Sequence, residues 1–320
     1  MHYLCIIVMD HILVTGGAGF IGQHFLKRLA HLNCKVTLID NLSNANANFQ
    51  IDNISFHKED IRNKDSISDI FKCKKIDTCI HLAAKISVPE SITNPFDTLD
   101  INTQGTLNML EACSKNRVDN FVFASSTAVY GEPKKLPMSE GHIPNPLSPY
   151  GASKLAGELL VHSYGKLGKI QNAISLRFFN VYGKCQSLEY AGVITKFAER
   201  LSKGLRPIIY GDGQQTRDFV SVRDAVDAIL LALSSDNKMS SSSAPRVFNI
   251  ASGKSISIND LAKTMIRISG LDLLPLYEEE RKGDIKNVVA DITRAKNILG
   301  FEAKEELETG LKQLMLPRFC

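Results

Sequence analysis

Tyr150 and Lys154 stand four residues apart in Tyr150-Gly-Ala-Ser-Lys154. That spacing puts both on one face of a helix. A free tyrosine has a pKa of about 10, too high for a base at neutral pH. A neighbouring ammonium favours the phenolate, so the pair could take a proton from a hydroxyl. By itself the spacing also fits a surface pair on a helix. Three hydroxyls, Ser125-Ser126-Thr127, follow an apolar run at 120–124. A doubly wound sheet puts its ligand at the carboxyl ends of its strands, where a hydroxyl could bond an oxygen that becomes a ketone. Standing alone, the triplet is an ordinary Ser/Thr turn.

A second constellation binds rather than reacts. Gly16, Gly19 and Gly22 lie between an apolar run at 11–15 and an amphipathic run at 24–31. Glycine permits a tight turn and lets backbone approach a pyrophosphate. The helix start that follows, with Phe20 and Ile21, offers free N–H groups and a positive dipole end. Gly17-x-Gly19-x-x-Gly22 meets the dinucleotide fingerprint in the context it requires. Asp40 ends the next apolar run, 18 residues past Gly22. An acid about there bonds a ribose 2′-OH and repels a 2′-phosphate, which favours NAD over NADP. Asp40-Asn41 is also good turn chemistry. Asp60-Ile61 follows a strand pattern at 54–57 and could bond an adenine amine; otherwise Asp60 is a loop acid. His81-Leu82-Ala83-Ala84, with Lys85 next, closes another strand pattern. Small residues there let a cofactor lie against the backbone, and equally let elements pack.

These residues need a scaffold, and the pattern supplies one. Apolar strands at 11–15, 35–40, 54–57, 78–82, 120–124 and 172–179 alternate with helical runs at 24–31, 66–71, 97–116 and 150–167. The alternation predicts an α/β fold, a Rossmann-type doubly wound parallel sheet with helices on both faces. After Asn180 the pattern loosens, and Gly204, Pro207, Gly211 and Gly213 punctuate it. Helices are expected at 192–202, 222–233 and 258–269, a strand at 246–250, and a Ser-rich loop at 234–243. Residues 1–180 are read as the nucleotide-binding domain, with segments at about 218–233 and 246–252 crossing back to it. The rest of 181–320 is read as a smaller C-terminal α/β substrate lobe.

Composition narrows the classes. With 44% hydrophobic and 22% charged residues, the 320-residue chain is no disordered, collagen-like or coiled-coil sequence. A net charge of +4 with no basic block gives no sign of nucleic acid binding. No apolar run approaches the ~18 residues that span a bilayer. Seven cysteines without a CxxC pair, and eight histidines without ligand spacing, predict neither a disulfide framework nor a metal site. A reducing cytoplasm fits that usage. The first eight residues lack a basic start and a small-residue cleavage site, so no signal peptide is expected. Met1 and Met9, the latter just before the first clear element, both stand as candidate starts.

Together these segments resemble the extended short-chain dehydrogenase/reductase family, in its sugar-nucleotide epimerase/dehydratase branch. The matching stretches are Thr15-Gly-Gly-Ala-Gly-Phe-Ile-Gly22, Ser125-Ser-Thr-Ala-Val-Tyr-Gly131 and Tyr150-Gly-Ala-Ser-Lys154. Further on come Arg177-Phe-Phe-Asn-Val-Tyr-Gly183, Gly211-Asp-Gly-Gln-Gln-Thr-Arg-Asp-Phe219 and Arg281-Lys-Gly-Asp284. They keep the family's order from residue 11 to about 311. The resemblance implies a bound NAD and a UDP-sugar substrate. Tyr150 would be the acid/base, Lys154 its tuner and ribose contact, and Ser126 the sugar-hydroxyl partner with Thr127 beside it. Asn102 would support the cofactor site, and Asn180 would contact the diphosphate. Arg217 and Arg281 would clamp phosphate oxygens and the nucleoside, a bidentate task that suits arginine. Val193, Tyr210 and Asp284 are also expected at the substrate. The family further implies a homodimer through the helices at 97–116 and 150–167.

Epimerisation, dehydration and decarboxylation share the first step in this family. The dehydratases and decarboxylases resembled carry an acid just after the Ser/Thr. Here Thr127-Ala128-Val129 has none, and alanine cannot protonate a leaving hydroxyl. The resemblance therefore implies 4-epimerisation of a UDP-hexose through a transient 4-keto sugar. Val288 stands near the position that gates the N-acetyl pocket and is smaller than the tyrosine of glucose/galactose-restricted members, so N-acetylated sugars are expected to be accepted too. Phe178 departs from the tyrosine of several relatives. The alternatives are UDP-glucuronate 4-epimerisation or decarboxylation, another dehydration, or an NAD-sensing protein without catalysis. The Tyr/Lys pair counts against that last reading.

Overall fold

The computed structural model describes residues 10–32, 34–44, 54–189, 192–234, 246–280 and 285–316. Met9 and most of the Ser-rich segment lie outside these. β1 (His11–Thr15) buries every residue after His11, as a strand covered on both faces must. It runs through the glycine turn into α1 (Phe20–Leu29), which turns Phe25, Leu26 and Leu29 inward. β2 (Lys35–Ile39) and β3 (Ile54–His57) follow, then α2 (Lys64–Lys72) and β4 (Thr78–His81). Two short helices, α3 (Val88–Thr93) and α4 (Pro95–Leu99), precede a π turn at Asp100–Gln104 that continues into α5 (Gly105–Lys115). The helix expected over 97–116 thus begins two residues earlier and is interrupted. β5 (Asn120–Ser126), α6 (Pro149–Lys166) and β6 (Asn172–Phe178) come next. Ser125 and Ser126 end β5 rather than follow it, and Thr127 opens the next turn.

The second half is finer-grained. It holds β7 (Asn180–Tyr182), α7 (Val193–Ser202), β8 (Ile208–Tyr210), β9 (Thr216–Ser221) and α8 (Val222–Ser234). Beyond these lie β10 (Val247–Ile250), β11 (Ser255–Ser257), α9 (Ile258–Ser269), β12 (Leu276–Glu278), a second π turn at Ala295–Leu299, and α10 (Leu307–Met315).

The main sheet has seven strands in the order β10-β6-β5-β4-β1-β2-β3, all parallel. The chain winds outward from β1 in one direction and from β4 in the other. Sheets of this kind bind ligands outside the carboxyl ends at that switch. β10 reaches the sheet only after the chain has built β7–β9. β7 and β9 join β11 in a small sheet, β11-β9-β7, while β8 pairs separately with β12. One face of the main sheet packs on α1 and α8, the other on α2, α5 and α6. A third core joins α7, α9 and α10 over the small sheet. Full burial of one Ile or Leu contributes about 1.5–3 kcal/mol. A helix cap contributes about 1 kcal/mol. These cores, not the caps, hold the fold.

Candidate active site

Gly16 ends β1 at φ +70°. A Cβ there would stand 2.5 Å from the Ala83 backbone nitrogen at the end of β4. Only glycine meets both demands, so β1 and β4 close at the switch point. On α1, a Cβ at Gly22 would stand 2.4 Å from Gly17 Cα, so the helix seats directly on the loop. Its N-cap is Gly19, without a side-chain cap. The helix start opens instead on a cavity lined by Gly16, Gly19, Phe20, Ile21 and Gly22.

The same cavity is lined by Asp40, Asn41, Asp60, Ile61 and the Leu82-Ala83-Ala84-Lys85 strand end. Asp40 Oδ2 accepts from Ala18 N at 2.9 Å and Oδ1 from Leu42 N at 2.8 Å. Burial raises its pKa, and the two N–H groups draw it back. Asn41 Nδ2 donates to Asp60 at 3.1 Å. The Arg62 guanidinium holds Asp60 down to about 2. Asn102 lines neither cavity of this site. Buried in the π turn, it fastens the cavity wall. Its Nδ2 donates to Lys85 O and to Ser153 Oγ, each at 2.9 Å, and its Oδ1 accepts from Lys85 N at 2.7 Å. The wide turn aims this side chain, as π bulges at functional sites do. The Lys85 ammonium pairs with Asp97 at 2.7 Å and with Glu90, so Lys85 meets the cavity with its ion pairs already made.

α6 starts at Pro149 and is capped by Ser148, whose side chain accepts from Gly151 N. Its first turn presents Tyr150, half-buried and lining the same cavity as Ser126. One turn on, Lys154 is buried. Its Nζ donates to Ala124 O at 2.9 Å and lies 5.0 Å from the Phe123 ring centre. Burial pushes the Lys154 ammonium down to about 8 and the Tyr150 phenol up. Both shifts have one cause: a charge is costly in this enclosure. Ser125 lines the cofactor-side cavity, but its hydroxyl donates to Glu158 at 2.5 Å. Ser126, unlike Ser125, lines both cavities with Tyr150.

Tyr150, Ser126 and Phe179 line a second cavity as well, so the two adjoin there. Thr127, Asn180, Val193, Tyr210 and Arg217 line the second, as do Gln186, Lys196 and Gln215. α7 opens on it with Gly192 at the N-cap and no side-chain cap, a second helix start suited to an anion. Asn180 Nδ2 donates to Asp218 O at 3.0 Å, and Arg217 Nη1 donates to Thr216 O at 2.8 Å. Val288 lines neither cavity. It is 4% exposed, in a cluster with Val129, Tyr130, Met138, Phe179 and Ala290. Burial behind the wall, not size at the wall, describes that position. Arg281 and Asp284 lie outside the described residues. Glu158 and the loop residues Gln186 and Gln215 went unread in the sequence. Glu158 had a signal, four residues past Lys154; the glutamines sit in irregular segments with no periodicity.

Among the described residues no three His, Cys, Asp or Glu gather as a metal site, and no helix is long and apolar enough to cross a membrane. Residues 12–251 match the NAD dependent epimerase/dehydratase family. The fold is similar to a UDP-glucose 4-epimerase of Thermotoga maritima solved with UDP-glucose, with TM-score 0.89 and 37% identity over 95% of this chain and 97% of that one. A UDP-N-acetylglucosamine 4-epimerase of Methanobrevibacter ruminantium, solved with UDP-N-acetylmuramic acid, gives 0.87 and 36% over 96% and 97%. The UDP-glucose 4-epimerase of Thermus thermophilus, solved with NAD, gives 0.85 and 32% over 95% and 97%.

Proposed function

The chain belongs to the NAD dependent epimerase/dehydratase family, and from that premise we infer that it inverts C4 of a UDP-hexose with NAD as cofactor. One observation carries the reading: Tyr150 and Ser126 line both cavities, at the place where the two adjoin. The residues fit NAD. Gly16 and Gly22 let the loop close against the backbone beyond β4 and seat α1 on it, the α1 start is uncapped for a pyrophosphate, and Asp40 suits a ribose diol.

NAD held there would supply a reversible acceptor for the hydride of C4 and a positively charged ring. Tyr150 accepts the proton of the 4-hydroxyl and later gives it back. Lys154, held by Ala124 O, stabilises the phenolate. Ser126 donates to the sugar oxygen as it gains carbonyl character. Arg217, Asn180 and the open α7 start hold the diphosphate away from the reacting ring, so the keto sugar can turn while tethered. Ala128 offers no acid to expel water, so the cycle ends in inversion rather than elimination.

The partner and compartment belong to the same reading. Ile92, Phe96, Leu99 and Leu159 are exposed on α3, α4 and α6, with Phe96 86% exposed. An apolar surface of this kind supports pairing with a second copy of the chain. The free cysteines Cys34, Cys73, Cys79, Cys113 and Cys185 support a cytoplasmic setting. The test is incubation of the purified protein with UDP-glucose and, separately, UDP-N-acetylglucosamine, without added NAD. NMR should show the C4 epimer of at least one. Starting sugar unchanged in both, in protein that carries NAD, overturns the reading.

A further inference from the structure

Tyr150, Lys154 and Glu158 follow one another at four-residue steps on α6 and share a face. Glu158 is 4% exposed and lines neither cavity. Its Oε1 accepts from Ser125 Oγ at 2.5 Å and from Arg177 Nε at 2.8 Å; its Oε2 accepts from Arg177 Nη2 at 2.7 Å. Arg177 lies on β6 in register with Ser125 of β5 and with Asn249 of β10. Its guanidinium sits 4.6 Å from the Tyr130 ring centre, and the Tyr130 hydroxyl donates to Asn249 at 2.6 Å.

A buried ion pair is a poor device for stability alone, because apolar residues of similar volume commonly do as well. What distinguishes this pair is its neighbour. Lys154 is buried, and the described residues give it no carboxylate within 4 Å. Glu158 is the acid whose field reaches it. We propose that Glu158 and Arg177 are positioning residues that set the charge on the Tyr150–Lys154 pair: the carboxylate sustains the Lys154 ammonium, and the guanidinium limits that support. The proposal rests on Tyr150 as the proton carrier of the inferred reaction.

The remaining groups facing this cluster are few. His81 on β4 has both ring nitrogens taken, at 2.7 Å from Thr15 Oγ1 and 3.0 Å from Thr106 Oγ1, and stays neutral. Tyr130 stays protonated, pushed up by burial to about 12. Glu140 lies beyond it, its Oε1 accepting from Asn249 N at 2.8 Å. Glu158, held by Arg177, is therefore the charged group that acts on Lys154 from behind.

The test is the pH dependence of kcat together with ultraviolet titration of the phenolate that Tyr150→Phe abolishes. Glu158→Gln keeps the shape and removes the negative charge, so protons leave Lys154 and Tyr150 more readily. Both limbs of the profile, and the phenolate midpoint, should move to lower pH by about half a unit or more. Arg177→Met should move them to higher pH, and the double variant should bring them back toward the parent. If one single variant fails to fold, the direction of the other's shift and its reversal in the double variant decide the matter. Limbs that stay in place, or move the same way in both, overturn the proposal even where kcat falls, since a merely structural pair lowers kcat without moving protons. Phenolate midpoints that shift as stated in a protein without turnover would uphold the charge pair and sink the epimerase reading.

Discussion

On the proposed reading, Tyr150 is the group whose oxygen takes and returns the sugar's proton. Removing that oxygen in Tyr150→Phe should lower kcat by about 10²–10⁴-fold, the usual reach of a positioned acid/base. KM should change far less, because Arg217 and the α7 start remain. Steady-state rates read by NMR check this. Val288 makes a contrasting case. Val288→Tyr would crowd a cluster closed by Met138 and Ala290 and should destabilise the fold by about 1–3 kcal/mol. Thermal melting should show the loss, and turnover of the plain and N-acetylated sugars should suffer alike. A selective loss of the N-acetylated sugar would restore the sequence-based gate. Tyr150 and Lys154 were legible because four residues of helix make one face whatever surrounds it. Val288 was not legible, since its burial depends on residues far along the chain.

Elements carry the next layer. β4 ends in His81, which ties Thr15 of β1 to Thr106 of α5. Burial holds its pKa down to about 3, against 6.5 in an open chain. As pH falls through 6.5 the unfolded chain takes up this proton first. Stability is thus full above about 6.5 and is lost progressively toward 3. Urea midpoints should be lower at pH 5 than at pH 7, and the difference should shrink in His81→Gln; an unchanged difference would remove His81 as the cause. β1, β2, β4, β5 and β6 were legible because both their faces are covered, which demands unbroken apolar runs. The three-residue strands β7, β8, β11 and β12 leave no such run, and their pairing is set by distant partners. The π turn was hidden for another reason: no residue type announces it, and only the bonds of Asn102 to Lys85 and Ser153 explain it.

At the scale of the whole molecule, the apolar surface of α3, α4 and α6 is the feature that isolated chain does not satisfy. Phe96→Glu should shift sedimentation from dimer to monomer; a parent already monomeric would end the homodimer reading. The route of β10 has a different consequence. That strand borders β6 and closes the main sheet, yet the ribosome delivers it only after β7, β8 and β9 have emerged. A nascent chain halted at residue 180 would leave β6 with an open flank, a template for stray pairing. The main sheet thus cannot close before those strands exist. Synthesis itself obliges the two halves of the pocket to be finished together.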